Sequence, residues 1–328
     1  MFQEKKIFDL RLATAFGAAA MLSLPAFGMT ITDGFGDGDR DNDGTPEGVV
    51  ADASDTGFTW LIANGSSSSS SPTIGVTDDT AGIGTGNALS FDAGSTSTRR
   101  LFAGYDTIEL SSPGEFISLT FQVRFAGGVA PTTDGDFRFG LYNEGAVKTE
   151  NDFDGNSSVD SLDDESGYYV TFDTGTPGSG TLAAVIVEPN VDGSPLTGSS
   201  SSGDSLSFGG SVNAGNLATN GLLPADAVLG DGTNTVSLKI TYNDVDDLNF
   251  LLTLNGNVLR DRDLLDDTTD PPGPSTFAFD SLLIASSGTD LSFTLDNVAI
   301  ETNIPEPGSL SLAALGTLAL LRRATRRG

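Results

Sequence analysis

Residues 116–126 read Phe-Ile-Ser-Leu-Thr-Phe-Gln-Val-Arg-Phe-Ala and alternate apolar with polar side chains. The apolar set is Ile117, Leu119, Phe121, Val123 and Phe125, and the polar set is Ser118, Thr120, Gln122 and Arg124. A period of two is typical of a strand with one buried face. The stretch therefore predicts a strand that covers a hydrophobic core.

The same alternation returns at residues 136–143 and 235–242. Shorter apolar runs predict strands at 58–63, 88–91, 168–173, 182–188, 277–285 and 291–301. Between residues 248 and 262, Asn255-Gly256 separates two apolar runs, and this pair favours positive φ at both turn positions, so a hairpin is predicted. Because no amphipathic helix pattern is visible, we predict an all-β fold, an antiparallel two-sheet sandwich or jelly roll.

The N-terminal segment has the order of a secretory signal. Lys5, Lys6 and Arg11 precede an apolar run, and Ala26 and Gly28 stand at the −3 and −1 positions of a cut before Met29. A buried or membrane-spanning helix is the alternative, but the run is short for a span and contains Pro25. We predict a signal peptide at residues 1–28.

The C-terminal segment contains Pro305-Glu306-Pro307, then an apolar run at 309–321, then the four arginines Arg322, Arg323, Arg326 and Arg327. Two prolines around one residue end a fold with an extended break. The run is shorter than the roughly 20 residues of a bilayer crossing. The arginines would hold the end on the cytoplasmic side of a membrane. An ordinary C-terminal membrane helix is the alternative reading.

These residues resemble the PEP-CTERM sorting family. The resemblance implies that an exosortase, a membrane-embedded processing enzyme, recognises the Pro-Glu-Pro segment, and that the protein is delivered to the cell surface or the extracellular space. The tail would then stay in the inner membrane transiently or as a retained segment. The family is associated with bacteria that make exopolysaccharide and grow in biofilms. We assign residues 304–328 to the sorting signal and 29–303 to one acidic β-sandwich ectodomain, with two smaller domains as the alternative.

The composition excludes several kinds of chemistry. The chain of 328 residues has a net charge of −29 and contains neither Cys nor His. Disulfides, Cys nucleophiles, Cys/His zinc sites and Ser-His-Asp triads are therefore impossible. Nine of the 16 basic residues lie between the two terminal segments, so this acidic region is a poor partner for nucleic acid or anionic lipid.

The opening Asp33-Gly34-Phe35-Gly36-Asp37-Gly38-Asp39, the Asn255-Gly256 hairpin and the closing strand Phe293-Thr-Leu-Asp-Asn-Val298 loosely resemble concanavalin A-like and laminin-G-like jelly rolls. This resemblance implies glycan or protein binding more often than catalysis. The Glu-x-Asp-x-x-Glu pattern of jelly-roll glucanases is absent, because Gly155 takes the last position after Glu150 and Asp152. We therefore expect no enzyme activity.

One acidic loop is a candidate calcium site, formed by Asp37, Asp39, Asp41 and Asp43. Alternating carboxylates followed by Gly44 supply oxygens at a spacing that suits calcium. Position 12 of the loop is Val50 instead of the bidentate Glu of an EF-hand, so a solvated acidic turn is the competing interpretation. Calcium is the one cofactor that the sequence points to.

Glycan binding would need aromatic faces beside polar groups. The candidates are Trp60, Tyr142 and Asn143. Trp60 lies in an apolar strand, which favours core packing over a binding role. The sequence thus predicts a non-catalytic surface or matrix protein that contributes to an exopolysaccharide layer. A lectin-like module is the alternative and a polysaccharide-active enzyme is third. The identity of the ligand and the oligomeric state do not follow from the sequence.

Overall fold

A computed structural model describes residues 28–35, 58–64, 73–78, 82–83, 86–92, 99–126, 136–144, 166–173, 184–188, 206–207, 229–263, 276–287 and 292–305. In this part of the chain the regular structure is β-strand, and no α-helix occurs. Two compact units are distinguished. One contains the two ends, Met1–Met29 and Asn303–Gly328, and the other is the body, Thr30–Thr302.

Fifteen strands are present among the described residues. They are β1 (Gly28–Asp33), β2 (Thr59–Asn64), β3 (Thr73–Asp78), β4 (Asn87–Asp92), β5 (Arg99–Glu109), β6 (Phe116–Phe125), β7 (Asp136–Asn143), β8 (Ser166–Asp173), β9 (Ala184–Glu188), β10 (Leu206–Ser207), β11 (Thr233–Asp244), β12 (Asp247–Leu254), β13 (Asn257–Asp263), β14 (Ala278–Ser287) and β15 (Phe293–Pro305).

The strands form two sheets. Sheet A has the order β13-β12-β11-β6-β15-β4-β3, with β1 also paired to β15, and sheet B has the order β10-β9-β8-β7-β14-β5-β2. The pairings are antiparallel; β6 and β11, for example, are in register from Phe116↔Thr241 to Arg124↔Thr233. The predicted antiparallel two-sheet sandwich is confirmed.

Aromatic contacts between the sheets mark the core. The ring of Phe121 in sheet A meets that of Phe139 in sheet B edge-on, at 5.0 Å between centroids and 83° between planes. Tyr168 of sheet B and Phe250 of sheet A are 4.9 Å apart. All five apolar residues of β6 that the alternation placed on one face are buried. Burial of apolar surface is the main favourable contribution to folding, and these rings are part of it.

The outward faces of the two sheets differ. On sheet A the outward residues of β6 and β11 are mostly polar and half-buried, and Thr120 Oγ1 donates a 2.9 Å hydrogen bond to Ser237 Oγ. On sheet B the centre is buried on both faces, since Arg138, Gly140 and Tyr142 are as buried as the inward-facing residues between them. Sheet B therefore lacks the clean alternation of a half-exposed sheet.

Most of these strands were predicted from the sequence. The predicted strands were confirmed, with bounds that differ by a few residues, and the Asn255-Gly256 hairpin joins β12 to β13 with φ values of 51° and 80°. Strands β1, β3, β5 and β10 were not predicted. In β5, three consecutive residues are buried, Leu101, Phe102 and Ala103, so no period of two is visible there.

Candidate functional site: the strand that leads to the sorting segment

Strand β15 connects the sandwich to the C-terminal sorting segment. It lies in the interior of sheet A, where it pairs with β6 and with β4. Its inward side chains are at most 2% exposed: Phe293, Leu295, Val298 and Ile300. The strand is thus held by the sheet on two sides and by the core beneath it.

A β-bulge keeps β15 in the core along its length. Asp296 opposes Gln122 and Ala299 opposes Thr120, so β15 has one more residue than β6 over this interval. Asn297 takes a positive φ of 52°, its N–H donates to Asp296 Oδ1, and its side-chain amide donates to Gln122 Oε1 at 2.8 Å. The extra residue moves the buried set from odd to even positions, so that Val298 and Ile300 face inward.

The strand ends at Pro305, the first residue of the Pro-Glu-Pro motif. Proline has no N–H to donate to a ladder, which is consistent with a strand end at this position. Gly28 and Met29, at the predicted signal cleavage point, belong to β1. The remaining sorting and cleavage residues lie outside the described part of the chain: Ala26, Glu306, Pro307, Arg322, Arg323, Arg326 and Arg327.

Of the predicted binding residues, the structure describes only Trp60, Tyr142 and Asn143. The calcium candidates Asp37, Asp39, Asp41 and Asp43 lie outside the described residues. Trp60 and Tyr142 are both 0% exposed, and Asn143 is half-buried. Stacking on a sugar requires an exposed ring face, so in this conformation neither ring is available for it. Whether the chain binds a glycan elsewhere stays a prediction.

Trp60 instead belongs to a buried cluster at one end of the core. Its Nε1–H donates a 2.6 Å hydrogen bond to Asp33 Oδ2, and the N–H of Phe35 donates to Asp33 Oδ1 at 2.9 Å. The rings of Phe35 and Phe58 each lie 5.8 Å from that of Trp60. Asp33 is 7% exposed, so its charge is stabilised by these donors instead of water.

A second buried carboxylate lies in sheet B. Asp280 is 3% exposed and its Oδ1 accepts a 2.9 Å hydrogen bond from the N–H of Glu144. Beside it, β5 bulges, because three of its residues oppose Asp280 alone between the pairs Gly104↔Ser281 and Ile108↔Phe279. Burial, and secondarily the negative charge of Asp280, raise the pKa of Tyr105 well above its usual value. The sequence feature that could have indicated this site is Asp280 itself, the single carboxylate within the apolar run of β14.

Acidic side chains of β12 and β13 are linked by the amides of one residue in β11 and one in β12. Asn243 Nδ2 donates to Asp247 and Asp263 at 2.9 Å each, and Asn249 Nδ2 donates to Asp261 and Asp263 at 3.0 Å each. Among the described residues, no group of three or more acidic side chains is arranged to hold a metal ion. Nor does that part of the chain contain a helix long and apolar enough to cross a membrane.

Residues 303–327 match the PEP-CTERM protein-sorting motif. The predicted resemblance is thereby confirmed for the tail, directly after the last residue of the sandwich body. The motif implies an exported protein with a membrane-associated C-terminal sorting signal and processing by an exosortase. The search of curated proteins found no match to this chain.

Several solved structures share the β-sandwich arrangement at low similarity. The carbohydrate recognition domain of Emp47p is 12% identical, over 74% of this chain and 87% of that one, with a TM-score of 0.38. Lectin II from Ulex europaeus is 11% identical, over 84% and 99%, with a TM-score of 0.38. The T. cruzi calreticulin globular domain is 11% identical, over 81% and 95%, with a TM-score of 0.43. Similarity at this level assigns no ligand to this chain.

Proposed function

We propose that this chain is a non-catalytic surface or extracellular-matrix protein. An exosortase sorts it through residues 303–327, and its acidic sandwich contributes to the exopolysaccharide or biofilm layer. The observation behind the proposal is the sorting motif, whose first residues are the last residues of an interior strand. A tail of this kind serves to deliver the domain that precedes it.

The charge of the chain supports an extracellular structural role. With 45 acidic and 16 basic residues, the protein repels copies of itself and stays soluble after release. The absence of Cys and His supports the non-catalytic part of the proposal, because it removes one common nucleophile and the most frequent proton-transfer group.

The sorting role is tested by replacing Pro305, Glu306 and Pro307 together with Ala in the full chain. In a host that contains an exosortase, we expect the native protein to lose its tail and reach the cell exterior. The triple variant should accumulate in the membrane with its tail intact, as seen by immunoblotting of a C-terminal epitope. Glu301→Ala, at an exposed position of β15, is the matched control and should be processed normally. Normal processing of the triple variant would refute the role of the motif.

The contribution to a polymer layer, and calcium as its cofactor, are tested by calorimetry on the released protein. Calcium is titrated first, then exopolysaccharide from the producing organism. Asp39→Asn together with Asp41→Asn should abolish calcium heat, whereas Asp244→Asn with Asp246→Asn, at an exposed turn, should not. If neither titration produces heat, the calcium site is wrong and a purely structural coat is the better account.

The alternative functions have separate signatures. A lectin-like module would bind one defined glycan saturably and reject related glycans. A polysaccharide-active enzyme would hydrolyse its substrate and lose all activity on replacement of one carboxylate, as in glycoside hydrolases that use an Asp/Glu pair. We expect neither result.

A further inference from the structure

One edge of sheet A is an uncharged strand. β3 is the last strand in the order of this sheet and pairs with β4. Among the described residues no strand pairs with its other side, so a row of N–H and C=O groups lacks a ladder partner there. Residues 56–77 contain no charged side chain, although 19% of the chain is charged. Charges are a usual means of keeping an edge strand from pairing, and β3 has none before Asp78.

The opposite edge of the same sheet is highly charged. In β13 the residues Arg260, Asp261, Arg262 and Asp263 alternate in sign. Two copies of β13 that paired symmetrically and antiparallel about Asp261 or Arg262 would place arginine opposite arginine and aspartate opposite aspartate. Like charges directly opposite each other destabilise such a pair. Of the two edges of sheet A, β3 is therefore the one suited to pairing with itself.

Two apolar side chains at the β3 edge are incompletely buried. Ile74 opposes Phe91 and Val76 opposes Leu89, and these partners in β4 are at most 1% exposed. Opposite residues of a ladder share a face, so Ile74 and Val76 lie on the core side of the sheet, yet both are only half-buried. Between them, a Cβ on Gly75 would meet nothing within 4 Å. A glycine inside a strand often marks the close approach of another backbone.

We propose that two copies of this chain associate by antiparallel pairing of β3 with β3, about a two-fold axis through Gly75. In this register Ile74 of each copy opposes Val76 of the other, and Thr73 opposes Thr77. Thr–Thr pairs are favourable across strands, and β-branched side chains pack well on a pleated surface. The pair adds about four to six ladder hydrogen bonds, covers Ile74 and Val76, and makes sheet A continuous across two molecules. This self-association goes beyond the proposed function and does not depend on it.

The net charge of the chain makes the association dependent on salt. Two copies that each carry a net charge of −29 repel each other. Salt screens this repulsion to a range of about 10 Å at 0.1 M and about 3 Å at 1 M. Within the pair no like charges are opposed, because the two copies of Asp78 lie at opposite ends of the ladder, about 20 Å apart. We therefore expect the dimer to be favoured several-fold when the salt concentration rises.

The test is a disulfide cross-link, since the chain contains no native cysteine. In the proposed pair the two Gly75 Cα atoms lie about 4.5–5.5 Å apart, within the roughly 4.4–6.8 Å that a disulfide spans. Gly75→Cys in the full chain is oxidised with diamide, which takes up the two electrons and two protons of the thiols. Non-reducing electrophoresis measures the dimer. We expect rapid cross-linking at about 0.5 M NaCl and several-fold slower cross-linking at about 0.05 M.

Two single-cysteine variants are the matched controls. Thr77→Cys lies on the same strand, but its two copies would be about 13 Å apart along the ladder. Val258→Cys lies at an exposed position of β13. Both should cross-link at least about tenfold more slowly than Gly75→Cys, because neither brings two sulfur atoms within bonding distance. Equal rates at the three positions, or no cross-link at position 75, would overturn the inference.

A second set of variants tests the register in the Gly75→Cys background. Thr73→Glu with Thr77→Glu places like charges opposite each other at both ends of the pair and should abolish cross-linking. Thr73→Gln with Thr77→Gln has nearly the same size without the charge and should preserve it. Equal cross-linking of the Glu and Gln variants would contradict the proposed register. The proposed function is judged separately by loss of the tail, so the failure of one does not imply the failure of the other.

Discussion

Trp60 and Asp33 form a hydrogen bond that joins the two sheets. Asp33 is the last residue of β1, which pairs within sheet A, and Trp60 lies in β2 at the edge of sheet B. The indole N–H to carboxylate distance is 2.6 Å, and both residues are buried. The bond connects the first strand of sheet A to the edge strand of sheet B, beside the rings of Phe35 and Phe58.

Replacing Asp33 with Ala should destabilise the protein by about 2–3 kcal/mol, because the buried Trp60 N–H and Phe35 N–H lose their acceptor. Urea denaturation followed by fluorescence measures this, since Trp60 is the single tryptophan. Asp106→Ala, at an exposed position of the same sandwich, should change stability by no more than about 0.5 kcal/mol. Equal stability of the two variants would show that the bond contributes nothing.

Gly140 and Gly167 should tolerate no side chain. They oppose Tyr169 and Tyr142 in the β7–β8 pair. A Cβ on Gly140 would lie 2.7 Å from Tyr169 Cβ, and one on Gly167 would lie 2.6 Å from Tyr142 Cδ1. We expect Gly140→Ala to cost about 1–3 kcal/mol through overpacking, as measured by the urea midpoint.

Gly75→Ala is the control for this substitution. Gly75 lies in β3 with open space around its Cβ position, so alanine there should be neutral or stabilise by about 0.4–1 kcal/mol. A Gly140→Ala variant as stable as Gly75→Ala would contradict the close packing of the Gly–Tyr pairs.

The hairpin turn between β12 and β13 depends on its glycine. Gly256 has a φ of +80°, and a Cβ in this region costs about 1–2 kcal/mol. Gly256→Ala should lower stability by that amount, measured by thermal unfolding. Gly34→Ala, where the added Cβ meets nothing and φ lies outside the positive region, should not. A turn that accepted alanine without loss would contradict the observed backbone.

Tyr105 should make the fold sensitive to alkali. Its pKa is raised in the folded state by burial and by Asp280, whereas in the unfolded chain it titrates near its usual value of about 10. Below about pH 10 Tyr105 keeps its proton in both the folded and the unfolded state, so its ionisation does not lower the free energy of unfolding. As the pH rises through the unfolded and then the folded pKa, the unfolded state loses its proton first, so stability falls.

Tyr105→Phe removes this titration and should flatten the loss of stability above about pH 10, while costing about 1 kcal/mol at neutral pH through the lost 3.4 Å hydrogen bond to Ser281 O. Urea midpoints measured at neutral and alkaline pH give both quantities. The same alkaline slope in the variant and the native protein would mean that another group is responsible.

The predictability of a strand depended on its own alternation and not on its sheet, since β1 and β3 of sheet A and β5 and β10 of sheet B were all missed. In β6 and β11 one face is buried and the other is largely half-exposed, so both were predicted from alternation. In β5 consecutive residues are buried and a bulge lies opposite Asp280, so no alternation is visible there. The bulge at Asn297 could not be predicted either. One extra residue turns the side chains of Val298 and Ile300 towards the core, and the local sequence gives no strong signal for it.

The sorting segment could be predicted from the sequence because its features lie close together along the chain: Pro-Glu-Pro, an apolar run and four arginines. The sequence by itself likewise determined the sandwich, the hairpin at Asn255-Gly256 and the exclusion of Cys and His chemistry. Only the tertiary structure decided that Tyr142 is a core residue, that Asp33 joins the two sheets, and that the Pro-Glu-Pro segment begins at the last residue of an interior strand. Those relationships link positions far apart in the chain, and pairing and burial are properties of the packed sheets rather than of any local pattern.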